Sequence, residues 1–555
     1  MRFEQQTSTC LRIVTAALLT TFLSASGRVV FGSEQTQAPQ QPQQQQPVPQ
    51  LPTVPAGAAP SGPTIRIGQD EAVRMALENN LGIQTERLNP QIQSLGVSRA
   101  LSVYTPEVFG GTSRSSVTTP PTDFLSQGVA VTTTGAVNAG GGIRQNLPWG
   151  ADYSVGLNGT RTTSDAPRTP FSPQLQSDMT AIFNQPLLRD LKIDANRQAI
   201  LQSRNQQSIA DIQLTERVTQ TSRIVRIAYF NLVAANSGLQ VAQQSLDLAR
   251  QALKNNERRV EVGTTAPIDI ISSQAEVARN EENVIVQQGN IEAAQDALRT
   301  LIMNPSQPDF WTTRIEPAEQ PVLSPQAINV EAAITNALAQ RTDIAQLKKN
   351  IEAAEINIKF NQNQKLPNVD LQARYGLRGV GGVFRQFDPN TPIGENPGVI
   401  GQSARSFADV LRDVFGNDFK SWTFLLNVSY PIGTSNADAA LAQSRLQRQQ
   451  GQVAMKDLET EVARQVREAG RQVATTLKRV EATKKARELA ERSLEAEEKR
   501  LAVGMSDSYR LFQYQRDLSN ARQNELNATI AYNRALVNFE AVQVVPAGGG
   551  GGGGF

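Results

Sequence analysis

The sequence predicts a mainly α fold with a smaller β part, built around a long antiparallel helical hairpin that occurs twice. Three observations support this prediction. From Ile209 to Leu301 the sequence has the pattern of a very long helix, a tight turn at 262–265 and a returning helix, and apolar residues recur every seven positions on both arms. The whole pattern then returns about 241 residues later, which indicates an internal duplication.

The outgoing arm of the first hairpin carries two rows with a seven-residue period. The apolar row comprises Val218, Val225, Leu232, Leu239, Leu246, Leu253 and Val260. The row of small side chains comprises Thr221, Ala228, Ala235, Ala242 and Ala249. The returning arm has an apolar row of Ile270, Val277, Val284, Ile291 and Leu298. A repeat held for about six heptads is typical of helices that wrap around each other.

The second hairpin repeats these rows with two interruptions. Its outgoing row is Val466, Val473, Val480, Arg487, Leu494 and Leu501. Its returning row is Leu511, Leu518, Glu525, Tyr532 and Phe539. The simplest interpretation of Arg487 is a side chain that snorkels to solvent, with a partner on a neighbouring helix or a place on a lumen as the alternatives.

The composition argues against several classes of function. The 555 residues carry a formal net charge of +2 and include no His and one Cys, so the charge gives no strong attraction to nucleic acid. Without His, the commonest metal ligand and general base is missing. The sequence has neither a P-loop nor a dinucleotide fingerprint. We therefore expect no enzyme activity, no cofactor and no metal site.

The two ends of the chain have special compositions. Residues 1–27 have the pattern of a secretory signal peptide, with basic residues, an apolar stretch and small residues at the end. An uncleaved membrane anchor is the alternative. Residues 28–63 are rich in Gln and Pro, which predicts a disordered linker. Residues 546–555 form a Gly-rich tail.

Between these ends we expect two structural repeats, 64–323 and 324–545. Each begins with a helix, and Pro90 is expected to kink or interrupt the first one. The predicted strand regions are about 106–186 and 368–432, and the predicted hairpins are 188–303 and 434–542. A long loop is expected within the second strand region.

The strand regions alternate apolar and polar residues. In the second region, for example, Val369, Leu371 and Ala373 alternate with polar residues. This pattern fits strands of a membrane β-barrel and equally fits a soluble, half-exposed sheet. The first region is longer, and the stretch 145–150 has the composition of an additional turn, which indicates an extra hairpin.

The duplicated order of helix, strands and long hairpin resembles the TolC-like outer-membrane efflux family. The turns Val262-Gly263 and Val503-Gly504 and the strand-to-helix junctions at Pro186 and Pro431 support this resemblance locally. It implies a mainly α protein with membrane β, in which three copies form a periplasmic α-barrel topped by a shared outer-membrane β-barrel.

The resemblance also implies a function and partners. The homotrimer would be the exit duct of a tripartite efflux or type I secretion system, located in the cell outer membrane with a long periplasmic extension. Besides outer-membrane lipid, its partners would be a periplasmic adaptor and, through the adaptor, an inner-membrane pump. Conduction of small molecules or proteins would be passive.

Two groups of site residues follow from the positions that match the family. The residues expected at the periplasmic tip, in contact with the adaptor, are Val262, Gly263, Thr264, Val503, Gly504 and Met505. The residues expected to line the pore entrance are Asp269, Arg510 and Gln513. For Asp269, an ordinary solvated acid at a helix N-terminus is the alternative. Because the second-half counterpart is Arg510, the acidic constriction of some relatives is not expected here.

A periplasmic coiled-coil scaffold or adaptor is the alternative function. Such a protein would use the same helical hairpins, but it would need no strands that face lipid. The strand regions therefore distinguish the two hypotheses.

Overall fold

The computed structural model describes residues 62–120, 131–263, 266–319, 325–392, 395, 397–433 and 435–547. The predicted signal peptide, most of the predicted linker, the terminal glycine run and Thr264 lie outside these residues. The described residues all belong to one compact unit, Pro60–Phe555.

Two helical hairpins with arms of equal length form the largest part of the described chain. The helices are α1 (Gln69–Asn79), α2 (Leu81–Leu101), α3 (Ala195–Glu261), α4 (Ile268–Ile302), α5 (Val330–Gln340), α6 (Thr342–Gln364), α7 (Phe407–Phe415), α8 (Asn436–Ala502) and α9 (Ser508–Val542). The outgoing helices α3 and α8 have 67 residues each, and the returning helices α4 and α9 have 35 each. At 1.5 Å per residue, each outgoing arm is about 100 Å long. The fold is mostly helical, as the heptad rows predict.

Side-chain caps determine where the long arms begin. At α3, the Asp194 carboxylate accepts a hydrogen bond from the backbone N–H of Arg197 at 2.7 Å. At α8, Ser435 and Asp438 form a capping box. The Lys365 ammonium lies 2.7 Å from Asp438 and, with the Ser435 hydrogen bonds, lowers the pKa of Asp438 to about 2. A carboxylate is thereby kept ionised where the helix dipole favours negative charge.

Two apolar cores hold the short helices against the hairpins. In the first repeat α1 packs on α3 and α4, and Val225, Leu232 and Leu298 are fully buried there. In the second repeat α5 packs on α8, and the core includes Val466 and Tyr532. The seven-residue rows therefore form the seams between helices.

The first predicted helix is divided in two, and the break does not lie at Pro90. Asn80 separates α1 from α2; its side chain caps α2 and donates to the Leu301 carbonyl at 3.2 Å. Pro90 lies inside α2. In the second repeat, Arg341 occupies the same junction and donates to the Val542 carbonyl at 3.3 Å. Of the kink or interruption expected at Pro90, the interruption is wrong: α2 continues through Pro90, and the break lies at Asn80.

The two interruptions of the heptad rows pair with each other. Arg487 on α8 donates through Nε to the Glu525 carboxylate on α9, and its Nη1 donates to Glu491 at 2.8 Å. The side chains of Arg487 and Glu525 are each 24% exposed. Arg487 therefore binds a neighbouring helix instead of only snorkelling to solvent. The equivalent positions of the first hairpin hold Leu246 and Val284.

Another interhelical ion pair occurs in both hairpins with its charges exchanged. In the first hairpin, Arg250 on α3 donates to Glu281 on α4 at 2.8 Å. In the second, Arg522 on α9 donates to Glu491 on α8 at 3.3 Å. Each basic residue thus occupies the position that is acidic in the other copy.

The strands form one small and one large sheet. The strands are β1 (Thr64–Ile67), β2 (Glu107–Thr119), β3 (Thr132–Asn146), β4 (Asp152–Ser164), β5 (Phe171–Pro186), β6 (Arg314–Pro317), β7 (Asn368–Phe387), β8 (Val399–Arg405) and β9 (Lys420–Ser429). Strands β1 and β6 pair in parallel. The large sheet is antiparallel, with the order β2-β3-β4-β5-β7-β8 and with β9 also paired to β7.

Strands β8 and β9 lie in line along one edge of β7. Because β5 occupies the other edge, β8 pairs with residues 382–387 and β9 with residues 368–377. The sheet therefore has six strand positions. The turn expected at 145–150 joins β3 to β4, which is the extra hairpin of the first repeat. The long loop expected in the second region instead contains β8 and α7.

Shortening a seam residue should destabilise the protein strongly. Leu232→Ala should lower the free energy of unfolding by about 2–5 kcal/mol, because it leaves a cavity in a fully buried seam. Urea unfolding of the purified protein, followed by circular dichroism, measures this loss. The control Gln243→Ala, on an exposed part of the same helix, should change the free energy of unfolding by less than about 0.5 kcal/mol. Equal effects of the two changes would contradict the seam.

Replacing one side chain of the Arg487–Glu525 pair should lower the free energy of unfolding more than replacing both. Arg487→Leu should destabilise by about 1–3 kcal/mol, because it leaves a partly buried carboxylate without its partner. Adding Glu525→Val gives the second hairpin an apolar pair like that of the first, and it should recover most of the lost free energy of unfolding. The same unfolding assay applies, and a double variant as unstable as the single one would contradict this account.

Candidate functional site

The large sheet has one apolar face. Side chains of directly opposed residues lie on the same face of a sheet, so the register defines each face. One row runs from Val108 through Ile143, Val155, Ala181 and Tyr375 to Trp422. Further members of this face are Tyr153, Leu157, Met179, Phe183, Leu371, Leu377, Phe424, Leu426 and Val428. The apolar face is therefore continuous across all six strand positions.

The opposite face carries hydrogen-bonded polar side chains. Arg144 on β3 donates to both carboxylate oxygens of Glu107 on β2, at 2.8 and 2.9 Å. Asn184 on β5 donates to Asp152 on β4 at 2.9 Å, and Gln372 on β7 donates to Asn184 at 2.9 Å. These side chains satisfy one another in two groups, one across β2 and β3 and one across β4, β5 and β7, so this face suits contact with water.

Helix α7 covers part of the apolar face. A Cβ atom on Gly379 would lie 2.2 Å from the Val410 carbonyl oxygen, and one on Gly381 would lie 2.5 Å from a Val410 methyl group. Both glycines share a face with Leu377, so α7 packs on the apolar side of the sheet. The glycines are needed because any larger side chain would displace the helix. Arg405 binds Asp413 of α7 through both carboxylate oxygens at 2.8 Å.

The glycines of the two hairpin turns have the same backbone conformation. Gly263 and Gly504 both have φ of 75°, a left-handed conformation that glycine adopts without strain. After α8, the Gly504 N–H donates to the Leu501 carbonyl and the Met505 N–H to the Arg500 carbonyl, at 3.2 and 2.9 Å. This is a Schellman motif, which ends the helix and satisfies its last carbonyls.

The tip residues expected from the sequence are exposed at these turns. Val262, Val503 and Met505 have exposed fractions of 76%, 70% and 76%. Nothing lies within 4 Å of a Cβ atom built on Gly263 or Gly504. The turns therefore present apolar side chains to solvent, on a surface that the described residues leave uncovered.

Polar contacts join the two hairpins just behind these turns. The buried Asn256 of α3 donates to Ser273 on α4 at 2.8 Å and accepts from Ser508 on α9 at 3.3 Å. Arg259 donates to the Leu501 carbonyl of α8 at 3.1 Å. These hydrogen bonds bring the two turns side by side.

The equivalent of Asn256 in the second hairpin is the buried Glu497. It accepts a hydrogen bond from Ser506 in the turn and lies 3.5 Å from Arg500. Neither Asn256 nor Glu497 was predicted from the sequence. The signal was present, because each residue continues its row of small side chains by one further heptad after Ala249 or Ala490.

The three expected pore residues occupy the first turns of the returning helices. Asp269 is half-buried in the first turn of α4, and its carbonyl accepts a hydrogen bond from Ser273 at 2.7 Å. Arg510 and Gln513 are exposed on α9, where Asp507 caps the helix. Asp269 is thus linked through Ser273 to the Asn256 contact, whereas Arg510 and Gln513 face solvent.

The described residues contain neither a candidate metal site nor a helix that could span a membrane. No cluster of His, Cys, Asp or Glu in this part of the chain could hold a metal ion. Among the helices described, none has the length and apolar character needed to cross a membrane.

Solved outer-membrane channels have a similar fold. The CmeC outer membrane channel of Campylobacter jejuni has a TM-score of 0.58 and 14% identity, covering 86% of this chain and 85% of that chain. The outer membrane protein VceC of Vibrio cholerae has a TM-score of 0.56 and 14% identity, covering 86% of this chain and 96% of that chain. The open-state MtrE channel of Neisseria gonorrhoeae has a TM-score of 0.56 and 17% identity, covering 86% of this chain and 89% of that chain. At these identities the likeness concerns the fold.

No curated protein matches this sequence. The family model for outer membrane efflux proteins matches residues 152–303 and 333–542. These segments include most of the large sheet and both hairpins, and they exceed half of the chain. The chain therefore belongs to the outer membrane efflux protein family.

Proposed function

We propose that this chain is one protomer of an outer-membrane exit duct in a tripartite efflux system. The observation that carries the proposal is the two-faced sheet, which is joined through short segments to helical arms about 100 Å long. A sheet with one apolar and one polar face suits a wall between lipid and water. The helical arms would extend the same wall into the periplasm.

The duct would work without chemistry of its own. The polar face, with its pairs such as Glu107–Arg144, would line an aqueous lumen, and the apolar face would contact outer-membrane lipid. Substrate choice and energy would come from an inner-membrane pump. The solved channels of similar fold are described as outer membrane channels, which supports this assignment over a periplasmic scaffold, because a scaffold needs no lipid-facing sheet.

The exposed turns are the proposed contact with a periplasmic adaptor. Val262, Val503 and Met505 offer apolar surface there, and Gly263 and Gly504 fix the turn geometry. Apolar side chains on a rigid turn lose little conformational entropy on binding, which favours a docking role. Thr264 belongs to the same proposed contact by its position in the sequence.

Asp269, Arg510 and Gln513 are proposed to line the entrance of the pore. They follow the turns by less than two helical turns, so they would lie close to the end of the duct. Asp269 of the first hairpin is negative, whereas Arg510 of the second hairpin is positive. An entrance built from both would carry alternating charge instead of an acidic ring, and it would favour neither anions nor cations strongly.

The location and oligomeric state are tested together by cell fractionation and detergent sizing with mass determination. We expect a complex of three chains, found in outer-membrane detergent extracts. A monomer or dimer in the soluble periplasmic fraction would contradict the duct and would favour the scaffold.

Replacing a tip glycine should weaken adaptor binding more than assembly. Gly504→Val forces a β-branched residue into a left-handed conformation, at a cost of about 1–3 kcal/mol localised at the turn. Cross-linking to the adaptor should fall several-fold, while detergent sizing should still give the trimer. The matched control is Gly289→Val, in the middle of α4 with open space around it. Unchanged cross-linking of the Gly504 variant would contradict the proposal that this turn contacts the adaptor.

A further inference from the structure

The apolar face of the large sheet carries two arginines at the end remote from the long helices. The register places Arg114 of β2 opposite Val137 of β3, and Val137 opposite Arg161 of β4. Arg114 lies six residues beyond Val108, and Arg161 lies six residues beyond Val155. Because side chains alternate between the faces of a strand, an even spacing keeps both arginines on the face of those valines.

The two arginines flank a recess of about 520 Å³ on this face. Its lining also includes Ser116, Thr163 and Asp165. Two strand spacings separate β2 from β4, so the Cα atoms of the arginines are roughly 10 Å apart. Both side chains are long enough to reach a ligand that lies between them.

The arginines have no carboxylate partner among the described residues, and both are exposed. The Asp165 carboxylate lies four residues beyond Arg161 and accepts a hydrogen bond from the Thr133 N–H at 2.6 Å. Two guanidinium groups and this one carboxylate leave an excess of positive charge in the recess. An anion is therefore the ligand that its charge favours.

The position of the arginines along their strands corresponds to the outer boundary of a membrane. Arg114 is seven residues beyond Glu107 and Arg161 is nine beyond Asp152, the residues at which β2 and β4 begin on the helix side. These counts give about 23 and 30 Å along the strands, or roughly 18–23 Å along the membrane normal at the usual tilt of barrel strands. The apolar band of such proteins is about 25 Å tall. An arginine facing lipid is costly at the centre of this band and tolerated near its edge, where lipid headgroups begin.

An apolar strip adjoins Arg161 on the side of the membrane centre. Gly159, two residues nearer the helices, lies against Phe407 of α7, because a Cβ atom on this glycine would be 3.2 Å from the ring. Phe407 remains 43% exposed, and Leu157 continues the strip along β4. A lipid with its phosphate at the arginines would place an acyl chain on this strip, whereas free phosphate would use the arginines alone.

We propose that Arg114 and Arg161 bind the phosphate of an anionic lipid in the outer leaflet of the membrane, with Phe407 against an acyl chain of that lipid. Arginine suits this role because its planar guanidinium makes paired hydrogen bonds to phosphate oxygens. The proposal rests on the outer-membrane location of the proposed duct. It adds a lipid that the outer wall of the duct would hold at a defined place.

Titration of the purified protein with diphosphoryl lipid A tests the site, with native mass spectrometry as the readout. The unchanged protein should retain the lipid. Arg114→Gln combined with Arg161→Gln should lower the affinity about tenfold or more, because charge-assisted hydrogen bonds to phosphate are lost. The matched control is Arg374→Gln, which removes an exposed arginine of the polar face and should leave the affinity unchanged.

Inorganic pyrophosphate is the second probe, because it offers phosphate without an acyl chain. Phe407→Ala should weaken the binding of lipid A several-fold and leave the binding of pyrophosphate unchanged. Pyrophosphate that binds as tightly as lipid A, together with no effect of Phe407→Ala, would overturn the assignment to a lipid. Circular dichroism and detergent sizing show whether each variant keeps the fold and the assembly.

The outcomes distinguish this site from the proposed function. Loss of lipid A binding in the double variant, with Arg374→Gln unaffected, supports the site. Unchanged binding by a double variant that still fractionates with the outer membrane overturns the site and leaves the duct intact. Unmodified protein found only in the soluble periplasmic fraction overturns the duct and the lipid site together.

Discussion

Close packing along the seven-residue seams is the interaction on which the rest of the structure depends. Small side chains such as Ala242 and Ala249 are buried at these seams, so the long helices approach closely along most of their length. The seams hold two hairpins of identical length in register. Only this match brings the turns at Gly263 and Gly504 to the same end, where Asn256 can join three helices.

The helical part of the fold could be predicted from the sequence because its signal is local and repeated. Heptad rows predict buried seams, and the absence of proline after Pro186 until Pro267 predicts an unbroken arm. The sheet was less predictable, because alternation of apolar and polar residues indicates a strand with two different faces but does not show which strands pair with it. The polar stretch after β7 was expected to be a loop, whereas its amphipathic residues form α7 on the apolar face.

At the candidate site, the sequence identified the turns but not the contacts that hold them. Gly263 and Gly504 were expected because the duplication places them at equivalent positions. Asn256 and Glu497 escaped notice because they differ from each other, and a polar residue in a row of small ones has no distinctive pattern. The Arg487–Glu525 pair was visible as two interruptions, but its pairing depends on how α8 and α9 face each other.

The exchanged ion pairs have a consequence for how a duplicated chain folds. Two similar hairpins offer each long helix two possible returning partners. If α3 took α9 in place of α4, Arg250 would meet Arg522, and the remaining helices would bring Glu491 against Glu281. Like charges at such opposed positions are unfavourable. Divergence of the two copies at these positions therefore lets each helix distinguish its own partner from its duplicate during assembly.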